Sequence, residues 1–327
     1  MTNFKIVQHK NIWLTISAII FVVAAAGLIM WSLKFGIDFT GGSLLEVKFS
    51  GERPTVTQVE EKLGAEGLGS LTVQPVGENG VILRFQNPEK EKADAVMKKL
   101  EELAGAGSQA AKPNVQIQAE NKALGAVQIE TSGANTVEQI RYTSVGPSIG
   151  KELKQKAIYA IFWVLAAIVV YISIAFRRIS KPVASWKYGL SALIAMIHDV
   201  IITIGVFAIL GHFYGIEINT PFVAAVLTVL GYSIHDTIVV FDRIRENLPR
   251  SDEDFEGTVN TSLNQTLVRS LNTSLTVILT LLAVLIFGGA SIRTFALALT
   301  IGIFIGTYSS IFVASPMLVL WEKWGKS

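Results

Sequence analysis

The chain has 327 residues, of which 50% are hydrophobic and only 17% are charged, and its mean hydropathy is +0.47. Soluble domains usually carry about 25% charged residues, and here the apolar residues concentrate in long runs, so the composition indicates a polytopic membrane protein. The net charge of +2 says nothing about nucleic acid. No basic stretch is interleaved with aromatics as a strand-binding groove requires, so no nucleic-acid partner is expected. The absence of cysteine excludes disulfides and thiolate metal sites.

Six apolar runs are each long enough to cross a hydrocarbon core of about 30 Å at about 1.5 Å per residue. The predicted spans are residues 12–33, 157–176, 188–210, 221–241, 263–287 and 294–321. The first span is followed by no small-residue cleavage site, which favours a retained anchor over a cleaved signal peptide. The predicted division is an N-terminus (1–11), a first helix (12–33), an outer segment with its linker (34–156), a five-helix bundle (157–322) and a C-terminus (323–327).

Lys and Arg residues are concentrated in the termini and short loops on one side of the predicted membrane. They are Lys5, Lys10, Arg177, Arg178, Lys181, Lys187, Arg243, Arg245, Arg250, Arg269, Lys323 and Lys326. The short turns on the other side contain only Arg293. Because positive loops stay in the cytoplasm, both termini are predicted to be cytoplasmic and the outer segment to be periplasmic, or extracytoplasmic.

The outer segment alternates strand and helix patterns. The predicted strands are 39–49, 71–76, 81–86, 114–119 and 126–129, and the predicted helices are 54–63 and 87–103. Residues 77–80 predict a hairpin turn, and Asn87 and Pro88 suit a helix cap and a first helical position. The β-α-β-β-α-β order predicts a ferredoxin-like α+β domain between the first two membrane helices. With no metal-ligand cluster and no nucleophile–base pair, a binding or lever domain without chemistry is favoured, and no enzyme is expected.

Asp236 lies inside the fourth span, within the stretch 231–247, before the apolar run ends. An ionised Asp inside a spanning helix costs roughly 2.5–3.5 kcal/mol by insertion scales, and such residues usually carry a function. A purely structural acid is the less favoured alternative. The residues Asp242, Arg243 and Arg245 follow it and predict a solvated charged collar where the helix leaves the lipid.

Three other residues in spans three and four are candidates for proton transfer. His198 and Asp199 lie near the middle of span three, and His235 precedes Asp236. Asp199 is equally well explained as a structural acid bonded to a backbone group or a hydroxyl. The imidazoles are proton-relay candidates, although packing or hydrogen bonding is the commoner role of a histidine on a helix. A metal site is rejected, because adjacent residues on a helix point about 100° apart.

Span five carries a polar stripe whose members share one helical face. It comprises Arg269, Asn272, Thr276 and Thr280. Because Arg269 is a cation at the head of this stripe, we predict that it pairs with Asp236 directly or through water. Protonation of Asp236 would weaken this pair and let the helices repack, which makes the pair a two-state element. In span six, Gly302 and Gly306 match a close-packing pattern, which indicates helix contact rather than a ligand site.

Six motifs in order along the chain resemble the SecF members of the SecD/SecF family of protein-export membrane proteins, in the resistance-nodulation-division superfamily. They are residues 35–42, 145–150, 197–200, 231–247, 269–274 and 306–310. The resemblance covers essentially the whole chain. It implies a bacterial inner-membrane subunit that pairs with SecD in a pseudo-symmetric unit embedded in lipid. That unit assists the SecYEG channel and the SecA motor, with YajC as a further candidate partner, and uses the proton-motive force to export preproteins.

The resemblance also implies residue roles. It makes Asp236 the coupling acid and Arg269 its basic partner, beside the proton-transfer candidates Asp199, His198 and His235. The family's signature falls on Gly36, Asp38, Gly41, Gly42, Asp242 and Arg243. The family often has Asn where this chain has His235, which leaves the coupling ion open between the proton and sodium. No cofactor is expected.

Three rival functions remain open. A half-unit of a small-molecule exporter of the same superfamily predicts a larger outer domain with an apolar cleft than residues 34–156 offer. A passive assembly subunit of a membrane complex predicts that Asp236→Asn is harmless. An intramembrane hydrolase is the weakest rival, because no Ser–His or paired-Asp geometry is evident.

Overall fold

The computed structural model describes residues 4–108, 135–176 and 183–324. The chain divides into two compact units, residues 37–153 and residues 1–36 with 154–327. The first is the outer unit and the second the membrane unit. Each unit has its own packing.

The outer unit is an α+β sandwich. Its elements are α2 (Ile37–Thr40), β1 (Gly42–Phe49), α3 (Val56–Leu63), β2 (Leu71–Val76), β3 (Gly80–Phe85), α4 (Lys90–Ser108) and β4 (Val137–Val145). The sheet order is β2-β3-β1-β4, and every neighbouring pair is antiparallel. This is the ferredoxin-like arrangement that the element order predicted, so the predicted fold class is confirmed.

The core of the outer unit lies on one face of the sheet. Leu45 of β1 pairs with Leu83 of β3, which pairs with Val73 of β2, and all three side chains are buried. Because side chains alternate along a strand, this register places one apolar row against the helices. The helices complete the core with Val59, Leu63, Val96 and Leu100.

Two elements of the outer unit start three residues later than predicted. The strand predicted from residue 39 begins at Gly42, because Ile37–Thr40 forms a helical turn. The helix predicted from residue 87 begins at Lys90, because Asn87 Oδ1 accepts a hydrogen bond from Glu89 N at 2.9 Å and forms a local turn. Pro88 therefore lies before the helix.

The sequence did not predict β4. The register of β1 and β4 shifts between Glu46 and Val47, which face Arg141 and Gln139, so a bulge at residue 140 interrupts the alternation that would have marked the strand. The predicted strands 114–119 and 126–129 lie outside the described residues.

Six helices in the described ranges are long and apolar enough to cross a membrane. They lie in the membrane unit, except that α5 begins seven residues before it, at Pro147. The elements are α1 (Lys10–Trp31), α5 (Pro147–Ala175), α6 (Ser185–Tyr214), α7 (Thr220–Asn247), α8 (Phe255–Phe287), α9 (Ala290–Ser309), a π segment (Ser310–Ala314) and α10 (Ser315–Trp324). The prediction of six spans is confirmed. Several helices start earlier than predicted, because they continue past the apolar residues into polar ones.

Burial separates the spans into two groups. About half or more of the apolar window is buried in α6 (56%), α7 (50%) and the span formed by α9, the π segment and α10 (61%), against 17% for α1, 6% for α5 and 11% for α8. The first group therefore forms the centre of the membrane unit. Because those three spans are largely shielded from water, their buried polar side chains need hydrogen-bond partners within the protein.

The chain leaving α1 is fixed to the turn between α6 and α7. Gly36 N donates to Ile218 O and Ile218 N donates to Lys34 O, both at 2.8 Å, which forms a parallel bridge between Phe35 and Ile218. A Cβ at residue 36 would lie 3.1 Å from Ile218 O, so glycine allows this close approach. This contact explains why a glycine is needed at position 36, which belongs to the predicted signature.

Candidate functional site

Asp236 lies on α7 in the central helix group and is 2% exposed. Its Oδ2 lies 3.4 Å from Ser274 Oγ of α8 and 3.3 Å from Thr307 Oγ1 of α9. Thr307 Oγ1 is also 2.6 Å from Ser274 Oγ, and Tyr232 OH donates to Ser274 Oγ at 3.2 Å. The acid is therefore surrounded by hydroxyl groups from two other helices.

The inward face of α8 is built from small hydroxyl residues at every fourth position. These buried residues are Ser262, Thr266, Ser270 and Ser274. Residues four apart share a helical face, so this spacing carries Ser274 to Asp236. The sequence analysis gave neither Ser274 nor Thr307 a role, although this four-residue repeat was a usable signal for Ser274.

Arg269 lies on a different face of α8. Its side chain is exposed, as are those of Asn272, Thr276 and Thr280, so the predicted stripe does share one face. Arg269 and Ser274 are five positions apart, about 140° round the helix. Ser274 faces Asp236, and the expected direct contact between Arg269 and Asp236 is not found among the described residues.

Asp199 on α6 is fully buried and is held by three side chains. Its Oδ2 accepts from Ser233 Oγ of α7 at 2.5 Å and from Ser309 Oγ of α9 at 2.7 Å. Its Oδ1 lies 2.9 Å from His198 Nδ1. These bonds join the three central spans, which is the hydroxyl-bonded arrangement of the structural alternative.

The two histidines that are candidates for proton transfer lie in different environments. His198 is buried and its ring stacks on Phe21 of α1 at 6.1 Å, while its Nε2 has no hydrogen-bond partner in the protein. With the Nδ1 hydrogen directed at Asp199, Nε2 is left as a buried acceptor. His235 is exposed on α7. Of these two histidines, His198 alone has a hydrogen bond to a buried acid within the part of the chain that the structure describes.

The charged residues after Asp236 are exposed, as a solvated collar requires. Arg243 pairs with Glu246 at 2.9 Å, and Arg245 lies 3.7 Å from Asp242. Exposed pairs of this kind contribute only about 0–1 kcal/mol. Asp38, another predicted signature residue, lies in the first turn of α2.

The two buried acids differ in how completely they are bonded. An ionised carboxylate only accepts hydrogen bonds, whereas a protonated one also donates. Asp199 has three short contacts on both oxygens, and Asp236 has two longer ones on a single oxygen. Within the described ranges, no group of three or more His, Cys, Asp or Glu side chains could hold a metal ion. The arrangement can fix one carboxylate while the other gains and loses a proton.

We expect Asp199→Ala to lower the thermal midpoint of the detergent-solubilised chain more than Asp236→Ala. Both changes remove the same atoms, but the first removes three short hydrogen bonds and the second removes two longer ones, and hydrogen bonds to charged groups are worth about 1.5–3 kcal/mol each. Thermal unfolding of the two variants side by side measures the difference. An equal loss in both would contradict the distinction between a fixed and a loosely held acid.

Comparison with known proteins gives these residues a context. The sequence profile described as "Protein export membrane protein SecD/SecF, C-terminal" matches residues 126–324, which is more than half of the chain. The chain belongs to the SecD/SecF family. The profile of the SecD/SecF GG motif matches residues 33–52, and this range includes Gly36, Asp38, Gly41 and Gly42. The predicted resemblance is confirmed.

Relatives in the SecD/SecF family align over nearly the whole chain. Protein translocase subunit SecF of Thermobaculum terrenum is 43% identical over 97% of this chain and 94% of the relative. The SecF subunit of Synechocystis is 35% identical over 97% and 93%. The crystal structure of SecDF of Thermus thermophilus, described as a translocon-associated membrane protein, is 30% identical with a TM-score of 0.76. The match covers 98% of this chain but only 39% of that SecDF chain.

Proposed function

We propose that this chain is the SecF-type subunit of a SecD–SecF complex that uses an ion gradient to promote preprotein export across the bacterial inner membrane. The observation that carries the proposal is Asp236, a buried carboxyl group at the centre of the membrane unit with only hydroxyl partners. An acid retained at such a position is functional by default. The names of the SecF relatives supply the process that it serves.

The gradient acts through the protonation state of Asp236. When the carboxylate is ionised, it accepts hydrogen bonds from Ser274 and Thr307; when it is protonated, it needs fewer donors and the hydroxyls are released. Because these hydroxyls belong to α8 and α9, each change alters the packing of three helices. The outer unit then works as a lever or client-binding domain without chemistry of its own.

SecD is the proposed partner of this chain. The match to SecDF leaves most of that longer chain uncovered, and one six-helix half calls for a second half in transporters built from repeats. The exposed polar stripe headed by Arg269 is unsuited to lipid and supports a protein or water-filled neighbour there. We place both termini in the cytoplasm and the outer unit in the periplasm, with SecYEG, SecA and YajC as further partners.

A passive assembly role is the second candidate function. It is favoured by one observation, the complete bonding of Asp199, which suits a purely structural core. The two candidates differ in one respect, because a passive subunit gives no dependence on an ion gradient once the complex has formed.

The test is preprotein translocation into vesicles that contain the full complex. We expect a proton gradient to stimulate translocation when this chain is present, and the stimulation to disappear when the gradient is collapsed by a protonophore. A sodium gradient imposed at constant pH is the second arm and decides the ion. Equal translocation with and without either gradient would leave the passive role as the better proposal.

A further inference from the structure

The last membrane span is interrupted by the π segment, and the sequence provides a cause. Pro316 has no N–H to give to the carbonyl of Phe312, so the regular hydrogen-bond ladder cannot continue there. Two serine side chains bond carbonyl groups in and next to this segment: Ser315 Oγ donates to Ser310 O at 3.0 Å, and Ser310 Oγ donates to Thr307 O at 2.9 Å. Such wide turns inside helices are frequent at functional sites and allow a change of helical register.

The residues just before the π segment contact both buried acids. Thr307 lies 3.3 Å from Asp236 and Ser309 lies 2.7 Å from Asp199. Two positions on a helix are about 200° apart, so α9 reaches the two acids from nearly opposite sides. Any rotation of this part of α9 therefore changes both contacts together.

The surface of α9 that faces α7 has no side chains at its closest points. A Cβ at Gly302 would lie 2.2 Å from Val229 Cγ2, and a Cβ at Gly306 would lie 3.0 Å from Ser233 Cβ. Glycine at these two positions lets α7 and α9 approach closely. A change in the rotation of this part of α9 therefore alters its contact with α7 as well as its contacts with the two acids.

We propose that α9 turns against α7 on the π segment during each gradient-driven cycle and exchanges the hydroxyl partners of both acids. Movement of the wide turn past a residue rotates that residue by about 100° and shifts it by about 1.5 Å, which takes Thr307 from Asp236 and Ser309 from Asp199. This inference rests on the proposed function. The titratable groups that face this part of α9 are His198, Asp199, Tyr232 and Asp236, while Arg269 of α8 is exposed.

A reversible cross-link between α7 and α9 tests this motion. The chain has no native cysteine. A Cβ at Gly302 would lie 3.0 Å from Val229 Cβ, somewhat shorter than the Cβ spacing of about 3.5–4.5 Å in a disulfide, so a small separation of the two helices allows the bond to form. In a protein with Val229→Cys and Gly302→Cys, oxidation should abolish gradient-stimulated translocation, and a reductant should restore it. Full stimulation in the oxidised protein would overturn the proposal.

The single-cysteine proteins provide the matched control. Val229→Cys alone and Gly302→Cys alone carry the same substitutions but cannot form the disulfide between α7 and α9. Treated with the same oxidant, each should keep gradient stimulation. Loss of stimulation in the oxidised single variants would also overturn the proposal, since the substitutions and not the cross-link would then account for the effect.

The rate of disulfide formation is a second readout, and it can be measured whether or not the protein with the two cysteines supports translocation. Asp236→Asn fixes the charge at this position, so oxidation of the 229–302 pair should proceed at a different rate from that in the chain with Asp236. Equal rates would contradict the turning of α9. The proposed function is decided separately, by whether a gradient stimulates translocation at all when the chain carries no introduced cysteine.

Discussion

Asp236→Asn should abolish the gradient-stimulated part of preprotein translocation and leave the gradient-independent part unchanged. The carboxamide has nearly the same shape as the carboxyl group and keeps an oxygen for Ser274 and Thr307, but it cannot bind and release a proton. Asp236 is 2% exposed, so water does not replace the missing group easily. Translocation into vesicles with and without a gradient measures the effect.

Two controls separate loss of coupling from loss of the protein. Asp252→Asn changes an exposed acid in the loop between α7 and α8 and should keep full stimulation. Co-purification with SecD should be unchanged in both variants. Unchanged stimulation in Asp236→Asn would remove this residue from the coupling site and direct the search to Asp199 or to the partner subunit.

Arg269 shows why the site could be predicted only in part, because the structure places its exposed side chain on a different face of α8 from Ser274, which contacts Asp236. The sequence contains two polar stripes on α8, one headed by Arg269 and one ending at Ser274, and both have helical spacing. Periodicity shows that residues share a face but does not say which face is inward. The attraction of a carboxylate for a cation favours the charged stripe, whereas the structure gives the buried position to the hydroxyls.

Asp236 itself could be predicted because a charge in an apolar run is conspicuous in any sequence. Its partners could not, because Ser and Thr are common in membrane helices, where they bond their own backbone. Thr307 illustrates the difficulty, since its hydroxyl also lies 2.9 Å from the carbonyl of Ile303. Only the packing of α7, α8 and α9 selects which hydroxyls meet the acid.

The fold followed from the sequence wherever one strong pattern extended over many residues. Six apolar runs predicted six spans, and the order of strand and helix patterns predicted the sandwich. The sequence analysis missed two local interruptions, the bulge that hides β4 and the π segment before Pro316, which divides the sixth span into α9, the π segment and α10. The bulge arises from the pairing of β4 with β1, and the π segment depends on the single residue Pro316, so neither changes the pattern of a long stretch of sequence.

The glycine pair at the start of β1 is explained by the backbone. Gly41 has φ of +77° and Gly42 has φ of +129°, which are conformations that residues with a side chain rarely adopt. A Cβ at Gly41 would lie 2.7 Å from Pro147 Cα, and one at Gly42 would lie 2.5 Å from Phe85 O. Both neighbours are backbone atoms and cannot rotate away, so the motif is required by the outer unit itself.

Gly42→Ala should destabilise the outer unit by about 2–6 kcal/mol, the sum of about 1–3 kcal/mol of backbone strain and about 1–3 kcal/mol of overpacking. Single domains are stable by only about 5–15 kcal/mol, so much of the margin is lost. Hydrogen exchange at the β1 amides of the full chain in detergent measures the change, with roughly tenfold faster exchange for each 1.4 kcal/mol.

Gly77→Ala is the matched control for this prediction. Gly77 also has a positive φ, +59°, but a Cβ there would have no neighbour within 4 Å. The change should cost only the left-handed conformation, about 1–2 kcal/mol, and should accelerate exchange far less than Gly42→Ala. If the two variants exchanged at the same rate, the contact with Phe85 O would contribute nothing, and the glycine pair would be needed for φ alone.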